Sequence, residues 1–79
     1  MTNLEKYTAV FAEVFELDPS EVPKLTFQAI PGWDSVGHMS LIAGLEEVFD
    51  VMMETDDIID LNSFEKGKEI LSKYDVVFE

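Results

Sequence analysis

The stretch Pro31-Gly32-Trp33-Asp34-Ser35-Val36-Gly37-His38-Met39-Ser40, continuing through Leu41-Ile42-Ala43-Gly44-Leu45-Glu46-Glu47-Val48-Phe49-Asp50, decides the fold. Pro31-Gly32 is turn chemistry and Ser35 is a good N-cap type, so a helix is expected from Ser35 to Phe49 or Asp50. Wound at about 100° per residue, that helix has two separate apolar faces. Leu41, Ile42, Leu45, Val48 and Phe49 fall together and are expected in a core. Val36, Met39 and Ala43 form a second stripe, with Ser40, Glu46, Glu47 and Asp50 on or beside it. A small bundle needs only the first face. An apolar stripe rimmed by carboxylates suits a helix that docks into a basic-rimmed groove on another protein. The competing reading is that the preceding loop, through Trp33 or Ile30, covers Val36 and Met39.

Outward from this helix the remaining elements follow from caps and periodicity. Thr2-Asn3-Leu4-Glu5 has the form of a capping box, and Leu4, Tyr7, Phe11, Val14 and Phe15 recur at three- and four-residue steps. Asp18-Pro19-Ser20 should stop this first helix near Leu17. The long connection to Asp34 carries Pro19, Pro23 and Pro31, which leave room for a turn of helix at Ser20-Glu21-Val22 but not for a long one. A short third helix is expected over Asp56 to Asp60, capped by Thr55. A fourth should start at Asn62 or Ser63, with Phe64, Gly67, Ile70, Leu71 and Tyr74 facing inward. Val76-Val77-Phe78 is β-prone but short, and is expected to pack on the bundle or fray. The expected fold is all-α: a small four-helix bundle with a long first loop and a short third helix, one domain spanning 1–79.

The net charge of −12 sets the class of partner. Nucleic acids and anionic lipids reward Lys and Arg, so neither is expected as the main partner. No Lys or Arg lies between Lys24 and Lys66, whereas Glu46, Glu47, Asp50, Glu54, Asp56, Asp57 and Asp60 do. Such a field steers a protein toward basic patches, although acidic residues also serve plain solubility. With no cysteine, disulfides and thiolate metal sites are excluded. The absence of a long apolar run or a leader points to a soluble, cytoplasmic monomer without a membrane span.

Ser35 stands where its oxygen lies near unpaired helix N–H groups, a place that also favours a phosphate. Serines at such positions are usually simple caps. The combination of Asp34-Ser35-Val36 with Leu45-Glu46-Glu47-Val48-Phe49-Asp50-Val51 about ten residues on resembles the acyl carrier protein family, and the likeness extends over nearly the whole chain. That resemblance implies that Ser35 is the attachment point of a 4′-phosphopantetheine arm, donated from coenzyme A by a phosphopantetheinyl transferase in a Mg²⁺-dependent reaction. It implies that Asp34 takes part in recognition by the transferase and in metal binding at that step. It further implies that Val36, Met39, Ala43, Glu46, Glu47 and Asp50 form a partner-binding surface for acyl-loading and acyl-transferring enzymes. The family carries acyl cargo as a thioester, and a carrier of this type is not an enzyme. Peptidyl, aminoacyl and D-alanyl carriers remain open, as does an unmodified acidic helical adaptor. Gly37 and Ser40 depart from the acidic or hydroxyl residue and the Glu that many members have there, which points away from the housekeeping fatty-acid carrier.

Other candidates weigh less. His38, the single histidine, could touch the prosthetic phosphate or a partner, or simply pack. Asp56-Asp57-Asp60 lacks the ligand alternation, central Gly and closing Glu of an EF-hand loop, so no metal is expected there. No nucleophilic triad or glycine-rich phosphate loop is present. Ile42, Leu45, Ile59, Leu61, Phe64 and Leu71 would line an interior acyl site if there were one, and ordinary core residues look the same.

Overall fold

A computed structural model describes residues 2–78. They form α1 (Asn3–Phe15), a 3₁₀ helix (Pro19–Lys24), α2 (Ser35–Phe49), α3 (Thr55–Asp60) and α4 (Phe64–Ser72), with no strand among the described residues. The chain is an all-α bundle. The capping box forms as expected: Thr2 Oγ1 accepts from Glu5 N–H at 3.1 Å and Glu5 accepts from Thr2 N–H at 2.9 Å. α1 stops at Phe15, because Glu16 takes a left-handed conformation, φ 54°. Asp18 caps the 3₁₀ helix by accepting from Ser20 N–H, and Pro19 occupies its first turn, where no N–H is needed.

Two expected helix starts are corrected. Asp34, not Ser35, caps α2: its Oδ1 accepts from Gly37 N–H at 2.9 Å, and Ser35 is the first helical residue. Thr55 does not cap α3 but belongs to it; the residue before is Glu54, and no side chain caps the start. Ser63 caps α4.

The core joins Tyr7, Val10, Phe11 and Phe15 of α1 to Leu41, Ile42 and Leu45 of α2 and to Phe64, Ile70 and Leu71 of α4. Its largest member comes from the loop. Trp33 is 0% exposed, stacked on Phe15 at 5.3 Å and edge-on to Phe11 at 5.6 Å. The loop is tied down further on its other side, where Phe27 N–H donates to Asn62 O (2.7 Å) and Phe64 N–H to Leu25 O (3.0 Å). These bonds hold residues 25–27 against the junction of α3 and α4, so the long connection is an ordered wall.

Val48 departs from its expected place in the core and is 42% exposed. α1 packs tightly at Gly44, where a Cβ would lie 2.9 Å from Val10. One turn later Val48 faces an open concavity shared with Val14, Glu13 and Glu47. In α4, Gly67 is a close-packing position, because any Cβ there would collide with the Tyr7 hydroxyl. That hydroxyl donates to Phe64 O at 2.7 Å, and burial, with Glu65 nearby, pushes its pKa well above the usual phenolic value. The C-terminal segment packs rather than frays: Val76 is buried, and Phe78 lies edge-on to Tyr7 and Phe49.

Candidate functional site at the head of the second helix

The first turn of α2 sorts its side chains by direction. Trp33 points into the core, Asp34 folds back onto the Gly37 N–H, and Ser35 and Val36 face solvent. Gly37 can lie where it does only because it lacks a side chain; a Cβ would strike the backbone carbonyl of Gly32 and crowd Phe15. Gly37 is therefore a close-approach position seating the loop on the helix. Helix geometry leaves the N–H groups of Ser35 and Val36 without intrahelical partners, so the hydroxyl of Ser35 sits beside free donors at the positive end of the helix dipole. A phosphate ester on that oxygen would meet favourable electrostatics and no steric barrier.

The apolar stripe beside Ser35 is open. Val36 is 76% and Met39 55% exposed, and Ala43 is exposed as well. The loop does not cover them, because Trp33 is committed to the core and Ile30 is itself only half-buried. Among the carboxylates, Glu47 and Asp50 are exposed. Glu46 is half-buried, with Oε2 accepting from Met53 N–H at 2.9 Å, so it braces the turn after α2 as well as contributing charge. Asp50 closes the helix in a left-handed conformation, φ 52°. No basic residue stands in the last turn of α2, so these acids lie at the negative end of the helix dipole without local compensation.

His38 is half-buried and bonded on both ring nitrogens. The Trp33 indole N–H, which can only donate, points at Nδ1 from 3.0 Å, while Nε2 lies 2.7 Å from the carbonyl of Ile58. Nδ1 is therefore the acceptor, and Nε2 carries the proton donated to Ile58 O. Between α2, α3 and the loop runs a groove of about 360 Å³ lined by Phe27, Ser35, His38, Met39, Ile58, Ile59, Leu61 and Asn62. Of the residues named as lining for an interior acyl site, Ile59 and Leu61 line this groove, whereas Ile42, Leu45, Phe64 and Leu71 are buried in the core. A larger concavity of about 670 Å³ lies along α4 and the C-terminal segment, edged by Glu65, Lys68, Glu69 and Asp75 and remote from Ser35 in sequence and lining.

The acidic run around α3 is divided by the fold. Asp57 is turned inward and is 8% exposed, accepting from Lys73 Nζ at 2.5 Å and from Tyr74 Oη at 2.5 Å. The Lys73 and Tyr74 hydrogen bonds hold its carboxyl below the usual carboxylate range, and those same bonds raise the pKa values of Lys73 and Tyr74. Asp56 and Asp60 remain exposed. Among the described residues no cluster of His, Asp and Glu is arranged to hold a metal ion, and no helix is long and apolar enough to cross a membrane. No protein-family model matches the chain, and no match was found among the curated proteins.

The sequence reading missed the burial of Trp33 and the double bonding of His38. Trp33 stands in a loop, where no periodicity marks the inward residue. A tryptophan five residues before the single histidine was the available signal for the pair.

Proposed function

We propose that this chain is a carrier protein, with Ser35 as the attachment point of a 4′-phosphopantetheine arm and the Val36–Met39–Ala43 stripe as its docking surface. One observation carries the reading: an exposed serine at the first position of a side-chain-capped helix, with an uncovered apolar stripe running on from it. The carrier motifs around Asp34-Ser35-Val36 and Leu45-Glu46-Glu47-Val48-Phe49 give that observation its chemical meaning. When attached, the arm supplies a terminal thiol on which acyl, aminoacyl or D-alanyl cargo is held as a thioester. The work of the protein's own residues is positional. Asp34 fixes the turn that presents the Ser35 oxygen, and the free N–H groups favour the phosphodiester formed there. Met39, Val36 and Ala43 provide desolvated contact, and Glu47 and Asp50 steer basic-patched partners into register. Those partners are a phosphopantetheinyl transferase and the enzymes that load and take the cargo; the protein itself catalyses nothing in this scheme.

The deciding experiment is intact-mass measurement after incubation with coenzyme A, Mg²⁺ and a promiscuous transferase. The expected result is the gain of a single phosphopantetheine, abolished by Ser35→Ala. No gain across several transferases, with the protein folded, would replace the carrier by an acidic helical adaptor using the same stripe unmodified.

A further inference from the structure

The groove beside Ser35 has one wall that is weakly supported by its own sequence. α3 has only six residues, too few to persist alone, and no side chain caps its start. It is held by tertiary bonds: Asp57 to Lys73 and Tyr74, Tyr74 Oη accepting from Glu54 N–H at 3.0 Å, and His38 Nε2 to Ile58 O. The first two fasten α3 to the end of α4. The His38 bond alone in this set reaches α2, the helix that carries Ser35. It also satisfies a carbonyl in the last turn of α3 that has no intrahelical partner.

His38 therefore lines the groove on one side and is bonded to the buried Trp33 on the other, with the two rings stacked at 6.2 Å and 14°. Phe27 closes edge-on against the imidazole at 5.6 Å. His38 and Phe27 thus line the groove in contact with Trp33, which in turn packs on Phe11 and Phe15 of the core. The groove's mouth is apolar and open, with Met39, Ile59 and Phe27 all exposed, and it begins at Ser35 itself.

We propose that His38 is a positioning residue that latches α3 to α2, and so limits an apolar chain borne on residue 35 to a shallow surface groove and keeps it out of the core. The proposal rests on the carrier reading for the identity of the chain, which becomes a short acyl group rather than a long fatty one. The latch itself is independent of that reading.

The test needs no transferase. The protein contains no cysteine, so Ser35→Cys creates a unique thiol. Its thiolate attacks the sulfenyl sulfur of an alkyl methanethiosulfonate, forming a mixed disulfide and releasing methanesulfinate. A series from methyl to decyl then places chains of graded length at the groove mouth. In Ser35→Cys alone, melting temperature should rise with chain length and then level off once the groove is filled. With His38→Ala added, the levelling point should move to longer chains. Amide exchange over residues 55–60 should also quicken about three- to tenfold, the factor that one net hydrogen bond represents. With His38→Gln, whose amide can still donate to Ile58 O, both should stay near the parent. His38→Phe keeps the stacked ring but neither bond, and serves if His38→Ala does not fold. A purely structural histidine would lower every melting temperature equally and leave the levelling point unmoved, which would overturn the latch. So would the absence of any length dependence in the parent. A protein that shows the length limit but accepts no phosphopantetheine would lose the proposed function and keep the latch.

Discussion

Asp34 serves as a cap in this structure and is assigned, by the carrier reading, a part in recognition by the transferase; two substitutions separate these roles. Its Oδ1 satisfies Gly37 N–H at 2.9 Å while its backbone carbonyl accepts from His38 N–H at 2.8 Å. Asp34→Ala deletes the side-chain bond and should cost about 1 kcal/mol, within the 0.5–2 kcal/mol range of lost caps. For a domain of this size that corresponds to a fall in Tm of roughly 4–8 °C. Asp34→Asn caps about as well as Asp, and loses only the charge–dipole attraction of about 0.3–1 kcal/mol, which salt screens.

Urea unfolding at moderate salt, followed by the circular dichroism of the helices, should therefore rank the proteins as parent, Asp34→Asn, then Asp34→Ala, with the first two close together. Loading by a transferase, followed by intact mass, should show a different order, with both variants slowed because both lack the carboxylate. If Asp34→Ala unfolds at the parent's midpoint, the Asp34 side chain does not cap α2. If Asp34→Asn loads at the parent's rate, the carboxylate is a cap and nothing more.

Three further outcomes follow from the same reasoning. Glu47→Lys should raise stability by about 0.3–1 kcal/mol in urea, since it replaces an acid at the negative end of α2 with a base, yet it should slow loading by a basic-patched partner. Gly67→Ala should destabilise by about 1–3 kcal/mol despite a helix-propensity gain of about 1, because its methyl collides with the Tyr7 hydroxyl; a double-mutant cycle with Tyr7→Phe should recover part of that loss, and strict additivity would count against the clash. For pH, the depressed Asp57 contributes stability that is present above its unfolded value near 3.8 and lost as pH falls through its lower folded value. The raised Lys73 and Tyr74 contribute stability that is present below their unfolded values near 10.5 and 10.0 and lost as pH rises through the folded ones. Asp57→Asn should flatten both limbs of a Tm-against-pH curve, and an unchanged acid limb would show that the link carries no stability.

The helices were legible because their signals are local. A capping box, a turn at Asp18-Pro19 and the recurrence of Tyr7, Phe11 and Phe15 each act within one or two turns of chain. The two faces of α2 were legible for the same reason, and Val36, Met39 and Ala43 lie open as the uncovered-stripe reading requires. What a helical wheel lacks is the neighbour. Val48 has the right phase for the core, but it faces an open concavity shared with Glu13, Val14 and Glu47. Glu46 has the phase of a docking acid, yet the turn after α2 brings Met53 N–H within its reach. The connection between α1 and α2 carries no sustained period, which is why Trp33 and Leu25 in its loops and Val22 in its short 3₁₀ helix give no sign of their burial in the pattern of the sequence.

Folding accounts for four choices at the head of α2 and leaves three open. Trp33 fills the core, Asp34 caps, Gly37 admits the Gly32 carbonyl and His38 ties the helix to α3. Ser35, Val36 and Met39 make no comparable contribution, since all three side chains are exposed. A serine costs a solvent-facing helix little, but a β-branched valine is a middling helix former, and an exposed Val and Met on one stripe add apolar surface that water does not favour. Selection for stability alone would place Glu, Lys or Gln at 36 and 39. Folding alone leaves the identities at those positions unexplained, and under the proposed carrier function a partner that covers Val36 and Met39 while acting at the Ser35 oxygen would account for them with a single surface.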